Sequence, residues 1–238
     1  MSPTITDKHN KLELGGLAGR VLRTIRSIIK VWTSYVAIYW KFKSYTMVPL
    51  RTYIANLELA ERFSKVKGSV VECGTWKGGM IAGIAKLLGN DRTYFLFDSF
   101  QGLPLAQEID GVAALTWQAD TEAPTYRNNC AATEQEARNA MALAGVNATI
   151  EKGWFRDTLP RAQFRDGIAI LRMDADWYES TFEILNNLFK YVTQGGVIII
   201  DDYYTWDGCS KAVHDYLSQN KCVERINVRN GVCFIVKA

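Results

Sequence analysis

Two largely apolar runs in this chain each end abruptly on acidic residues, and that arrangement narrows the folds open to it more than any other feature. Ile168 to Met173 leads into Asp174-Ala175-Asp176, and Val197 to Ile200 leads into Asp201-Asp202. Short apolar runs without polar alternation suit strands buried on both faces, as central strands are in a parallel sheet covered by helices. Four carboxylates would then leave the sheet together at its carboxyl edge, where open α/β sheets bind ligands.

The remainder of the chain supports that sheet. From Ser69 onward short apolar runs alternate with helical periodicity. Strands are predicted at Ser69 to Cys73, Thr93 to Phe97, Ala148 to Glu151, Ile168 to Met173, Val197 to Asp201, Val223 to Val228 and Val232 to Val236, with helices near 77–89, 132–144, 179–191 and 208–219. Arg229-Asn230-Gly231 contains the favoured tight hairpin dipeptide, so the last two strands are expected to be antiparallel. The fold class is therefore α/β, a seven-stranded and mostly parallel sheet with a C-terminal antiparallel hairpin. Residues 101–131 read as one long irregular stretch, a candidate lid.

Ahead of the sheet, apolar residues from Leu12 to about Phe63 recur at helical spacing and break near Pro49. They are too few for a core of their own, so 1–64 is read as a helical extension and 65–238 as the catalytic domain. Residues 1–51 hold nine Lys/Arg against two Asp/Glu, while the whole chain carries only +3. A solvated helix face accounts for that excess about as well as contact with an anionic surface does, and no nucleic-acid partner is expected. The apolar stretch Ile28 to Trp40 is broken by Lys30 and is shorter than the roughly 20 residues of a membrane span, so no integral membrane segment is expected. Met1 to Asn10 is polar, so no secretory signal is expected. Five cysteines without a C-x-x-C pair argue against a disulfide framework or a zinc cluster and fit a cytoplasmic protein.

Three groups of residues point to chemistry. Glu72-Cys73-Gly74-Thr75-Trp76-Lys77-Gly78-Gly79 is a glycine turn between strand and helix, but Trp76 stands where the dinucleotide motif has its second glycine. That suits a ligand without a pyrophosphate, and Glu72 suits a cationic one; S-adenosylmethionine has both properties. A turn that merely tightens the strand–helix junction explains the same residues. Asp98, at the end of the next strand, could accept hydrogen bonds from two ribose hydroxyls or cap the following turn. The four aspartates would repel one another unless a hard divalent cation such as Mg²⁺ joined them. Helix caps at Asp174 and Asp202, with salt bridges to Arg172 or Lys211, are the alternative. Gly153-Trp154-Phe155 offers an aromatic face for an adenine or an ordinary buried cluster. His214 reads as structural and His9 lies in a tail, neither supporting a metal site, and Cys73 lacks a neighbouring histidine.

Taken together, Val71-Glu72-Cys73-Gly74, Phe97-Asp98-Ser99-Phe100-Gln101-Gly102-Leu103-Pro104, Leu171-Arg172-Met173-Asp174-Ala175-Asp176 with Tyr178-Glu179-Ser180-Thr181, and Gly195-Gly196 followed by Asp201-Asp202-Tyr203 resemble the macrocin O-methyltransferase family over about residues 45–236. This family includes the mycinamicin and novobiocin sugar O-methyltransferases. The resemblance implies a Rossmann-like class I methyltransferase that uses S-adenosylmethionine and Mg²⁺ to methylate a hydroxyl of a small natural product, often on a sugar. It implies Asp174, Asp201 and Asp202 as metal ligands, with Asp176 as general base and Asp174 beside it in catalysis. Cofactor contacts are implied for Thr46 and Met47, for Glu72, Cys73, Gly74 and Gly78, for Asp98, Ser99 and Gly102, and for Gly153 and Trp154. A homodimer or higher homo-oligomer is implied as well. Ala175 replaces the family's more usual glycine, and residues 105–128 depart from its pattern where the acceptor pocket is shaped. A catechol-type metal-dependent O-methyltransferase and a non-catalytic, membrane-peripheral binding module are the competing readings. Trp76 makes an oxidoreductase the least favoured.

Overall fold

The computed structural model describes residues 32–238. The expected helices between Leu12 and Val31 lie outside the described residues. A helix, α1, is described over 32–42, followed by α2 (Leu50–Arg62), β1 (Ser69–Cys73), α3 (Gly79–Leu88) and β2 (Tyr94–Asp98). Next come α4 (Val112–Ala119), α5 (Glu134–Ala144), β3 (Thr149–Lys152), α6 (Phe155–Thr158), β4 (Ile168–Met173) and α7 (Tyr178–Leu188). The chain closes with β5 (Val192–Ile200), α8 (Asp207–Gln219), β6 (Ile226–Arg229) and β7 (Val232–Val236).

Among the described residues the strands form one sheet in the order β3-β2-β1-β4-β5-β7-β6, parallel except for β7, which runs antiparallel to both β5 and β6. The Asn230-Gly231 turn closes the terminal hairpin as its residue types require, with φ +50° and +83°. Alternation along the strands divides the core in two. Val70, Ile170, Ile199 and Phe234 face a cluster shared with α1, α2, α3 and α5. Val71, Leu171, Ile198 and Ile235 face a cluster shared with α7 and α8. The described part of the N-terminal extension is thus built into the core: Tyr35, Tyr39, Phe42, Tyr53 and Leu57 are all buried within the first cluster.

Two expectations require correction. The fifth strand starts at Val192, not Val197, because Val192 pairs with Ile168 and the Gly195 N–H donates to Lys237 O at 2.8 Å. Backbone pairing runs through a glycine pair whose composition reads as a turn. Residues 101–131 are not one irregular stretch, since they contain α4, a short 3-10 turn at Glu108–Asp110 and a left-handed turn at Arg127–Cys130. The sequence of α4, VAALTWQA, has no polar face to reveal a helical stripe. Its Gln118 stitches the segment together, accepting from Ala106 N at 2.6 Å and donating to Pro104 O and Asn129 Oδ1 at 2.9 and 3.0 Å. No helix among the described residues is long and apolar enough to cross a membrane.

Gly83 of α3 sits where a Cβ would overlap the Tyr53 hydroxyl, which is itself buried and donates to Gly79 O at 2.9 Å. Gly83→Ala should therefore wedge α2 from α3 and lower stability by about 1–3 kcal/mol. Urea unfolding provides the check, with an unchanged midpoint counting against this close approach.

Candidate active site

The site starts from the ladder between β1, β4 and β5. Pairing continues past the strand ends, with Asp174 N donating to Cys73 O and Asp201 N donating to Met173 O, both at 2.9 Å. Gly74 permits this closeness, because a Cβ there would overlap the carbonyl of Asp174. The two acidic turns are consequently held side by side.

Beneath them lies Arg172, 1% exposed. Its Nη1 donates to Glu72 Oε1 at 2.9 Å and to Asp174 Oδ2 at 2.8 Å, and its Nε donates to Asn56 Oδ1 at 3.1 Å. Nη2 lies 2.7 Å from Asp201 Oδ1, an ion pair without hydrogen-bond alignment. Glu72, expected to meet a cationic ligand, is instead a buried partner of this guanidinium. Burial pushes its carboxyl up to about 8, with Arg172 opposing.

Above Arg172, oxygen atoms of Asp174, Asp176 and Asp202 lie within 4.8 Å of one another. Among the described residues no Lys, Arg or His is within ion-pair distance of Asp176 or Asp202. Asp176 takes a left-handed conformation, φ +54°, with its N–H donating to Asp202 Oδ2 at 3.2 Å and its Oδ1 accepting from Trp206 Nε1 at 2.8 Å. Burial first, then neighbouring acids, raises these carboxyls: Asp174 to about 6, with Arg172 opposing, and Asp176 to about 7. Asp202 is raised well above the ordinary range by burial and by Asp176. The three acids brought together are thus 174, 176 and 202, whereas Asp201 is drawn toward Arg172. Such a donor set, all oxygen and short of positive charge, fits a hard divalent cation.

These acids floor one end of a cleft of about 330 Å³, within the usual range for small-molecule sites. At its other end Asp98 organises the glycine turn. Its Oδ2 accepts from Thr75 N and Trp76 N at 2.7 and 2.8 Å, and its Oδ1 accepts from Phe100 N at 2.6 Å. Trp76 itself sits at φ +48°, its indole N–H donating to Ala131 O at 3.2 Å. Of the expected cofactor residues, Thr46, Met47, Gly74, Asp98, Ser99, Gly102, Gly153 and Trp154 line the cleft. Glu72, Cys73 and Gly78 do not: Cys73 points into the core, and Gly78 lies against Ala137. Trp117 and Trp206 also line the cleft and were absent from the expected set. They are 89 positions apart, and no spacing rule connects them.

Comparison with known proteins agrees with this architecture. Residues 35–236 match the family described as macrocin-O-methyltransferase (TylF). The chain is 36% identical over 188 residues to demethyldecarbamoylnovobiocin O-methyltransferase of Streptomyces niveus, covering 74% of this chain and 69% of that protein. It is 34% identical over 172 residues to mycinamicin III 3''-O-methyltransferase of Micromonospora griseorubida, covering 68% of this chain and 65% of that one. The solved structure of the O-methyltransferase NovP superposes with a TM-score of 0.67 at 31% identity, covering 82% of each chain.

The raised carboxyls make a sign-definite prediction for the chain in chelator. The folded state holds protons on Asp174 and Asp176 up to about 6 and 7, while unfolded aspartates release theirs near about 4. Their contribution to stability is therefore complete below about pH 4 and is lost as pH rises through about 7. Urea midpoints between pH 5 and 8 should fall less steeply in Asp176→Asn than in the parent. Parallel slopes would mean that Asp176 titrates normally.

Proposed function

This chain belongs to the macrocin O-methyltransferase (TylF) family, and from that premise we propose that it methylates a sugar hydroxyl of a natural product with S-adenosylmethionine as donor and Mg²⁺ as activator. The observation that carries the reading is the convergence of Asp174, Asp176 and Asp202 in the same cleft as the Asp98-bound glycine turn. When bound, S-adenosylmethionine supplies an electrophilic methyl on a cationic sulfur, and Mg²⁺ supplies charge that makes a coordinated hydroxyl more acidic.

Every other part belongs to the chain. Asp174 and Asp202, with the oxygen of Asp201 that does not face Arg172, would hold the cation. Asp176 acts as general base, because the Trp206 indole N–H fixes one of its oxygens and leaves the other for the acceptor proton. Asp98 keeps one acceptor position, on Oδ1, for a ribose hydroxyl beside the three backbone N–H groups that orient it. Thr46 and Met47 cover the cofactor from the turn before α2, and Trp154 faces it from the end of β3. Arg172 keeps Asp174 and Asp201 aligned from below. The convergence of Asp176 with Asp174 and Asp202 supports a second reading, in which Asp176 is itself a ligand.

Asp174→Ala should remove metal-stimulated methyl transfer, by about 100-fold or more, while leaving S-adenosylhomocysteine affinity nearly unchanged. Full turnover in chelator would overturn the metal role. Asp176→Asn should lower kcat by about 10²–10⁴ with metal affinity retained. Equal loss of both quantities would make Asp176 a ligand and not the base.

A further inference from the structure

Asn56 of α2 is a fully buried polar side chain to which the mechanism assigns no part. It stands between Ala55 and Leu57, both packed in the first core cluster, and is itself 0% exposed. An amide in such a place is costly unless its polar atoms are paired. Here both are: Nδ2 donates to Thr52 O one helical turn back at 2.9 Å, which fixes the sense of the amide, and Oδ1 accepts from Arg172 Nε at 3.1 Å. The two residues are 116 positions apart, so no motif joins them. A guanidinium can grip one carboxylate through two parallel N–H bonds in two ways, from its side by Nε and Nη2 or from its end by Nη1 and Nη2. In this core each fork is half taken. Asn56 occupies Nε, and Glu72 with Asp174 occupies Nη1. Asp201, 2.7 Å from Nη2, is therefore denied both forks. Among the described residues neither Nη2 nor Asp201 Oδ1 makes a hydrogen bond, although both atoms are buried.

We propose that Asn56 is a positioning residue for the cation: by closing the side fork of Arg172 it prevents the guanidinium from taking both oxygens of Asp201, and so leaves one of them for the ion. This rests on the reading of the acids as a divalent-cation site. Arg172 without Asn56 would have Nε and Nη2 free together, beside a carboxylate already within ion-pair distance. A two-toothed pair in a buried setting is strong and directional, and an aspartate so engaged is lost as a ligand. Glu72 and Asp174 close the end fork in the same way, but each is itself an acid of the cluster. Asn56 can be changed without altering the number of carboxylates.

The probe is Mn²⁺, its free form counted by electron paramagnetic resonance, titrated into the full chain saturated with S-adenosylhomocysteine. Asn56→Leu, similar in size but unable to accept from Nε, should weaken Mn²⁺ binding by about 10- to 100-fold. Asn56→Asp, which keeps an acceptor there, should bind Mn²⁺ within about threefold of the parent or more tightly. S-adenosylhomocysteine affinity should be the same in all three proteins. A role confined to packing would lower the stability of the leucine variant and leave Mn²⁺ affinity where it was. Equal Mn²⁺ affinity in parent and Asn56→Leu would therefore overturn the proposal, and so would an Asn56→Asp chain as weak as the leucine one. Should the leucine variant not fold, crystals of the parent grown with Mn²⁺ and S-adenosylhomocysteine decide. Arg172 Nε should stay on Asn56 with one Asp201 oxygen on the ion, and either contact missing would count against the inference. No saturable Mn²⁺ binding by the parent would remove the cation reading and this inference together, whereas Mn²⁺ bound equally by parent and leucine variant removes this inference alone.

Discussion

Arg172 is a guanidinium placed where a lone charge could not persist. Transferring an ion out of water costs several kcal/mol even after relaxation, and the cost is met only when partners are close and well oriented. Here the partners come from three strands and a helix: Glu72 from β1, Asp174 beyond β4, Asp201 beyond β5, and Asn56 from α2. The register of the central strands and the seating of α2 are both tied to this one side chain. Removing a partner would leave charge stranded in the core, so the arrangement is stiff in the region where a reacting group must be placed accurately.

That stiffness leaves a residue of unbalanced charge. Arg172 answers Asp174 and Asp201 but makes no ion pair with Asp176 or Asp202, which lie on the cleft side of the cluster. Burial and the neighbouring acids raise both carboxyls, a pattern common among side chains that take part in binding or chemistry. Local consistency is given up at the same place. Asp176 occupies the left-handed region without glycine's freedom, and so does Trp76 in the turn across the cleft. A region whose charges and dihedrals are both unfavourable persists because the buried ladder around it leaves the chain no alternative.

Much of the fold was legible because the relevant signals are local. Burial on both faces shows in an unbroken run such as Val197 to Ile200, and a hairpin shows in Asn230-Gly231. Other parts were hidden for physical reasons. The beginning of β5 is disguised by Gly195-Gly196, whose pairing depends on the distant Lys237 carbonyl. The helix α4 carries no amphipathic stripe, because its apolar Val112 and Leu115 are exposed while Ala114 alone is buried. Glu72 looked like a ligand-facing acid at a strand end, yet strand alternation and the guanidinium across the ladder turn it inward.

The sequence by itself determined the order of the seven strands and of α3, α5, α7 and α8, the emergence of four aspartates at one edge, and the motifs that join the chain to its family, since each depends on residues near one another along the chain. Only the tertiary structure decided which carboxylates converge, which one Arg172 claims, and which tryptophans border the acids. Those outcomes depend on distances between segments dozens of residues apart. Such distances are set by packing and by charge balance in the finished core, and no local pattern encodes them.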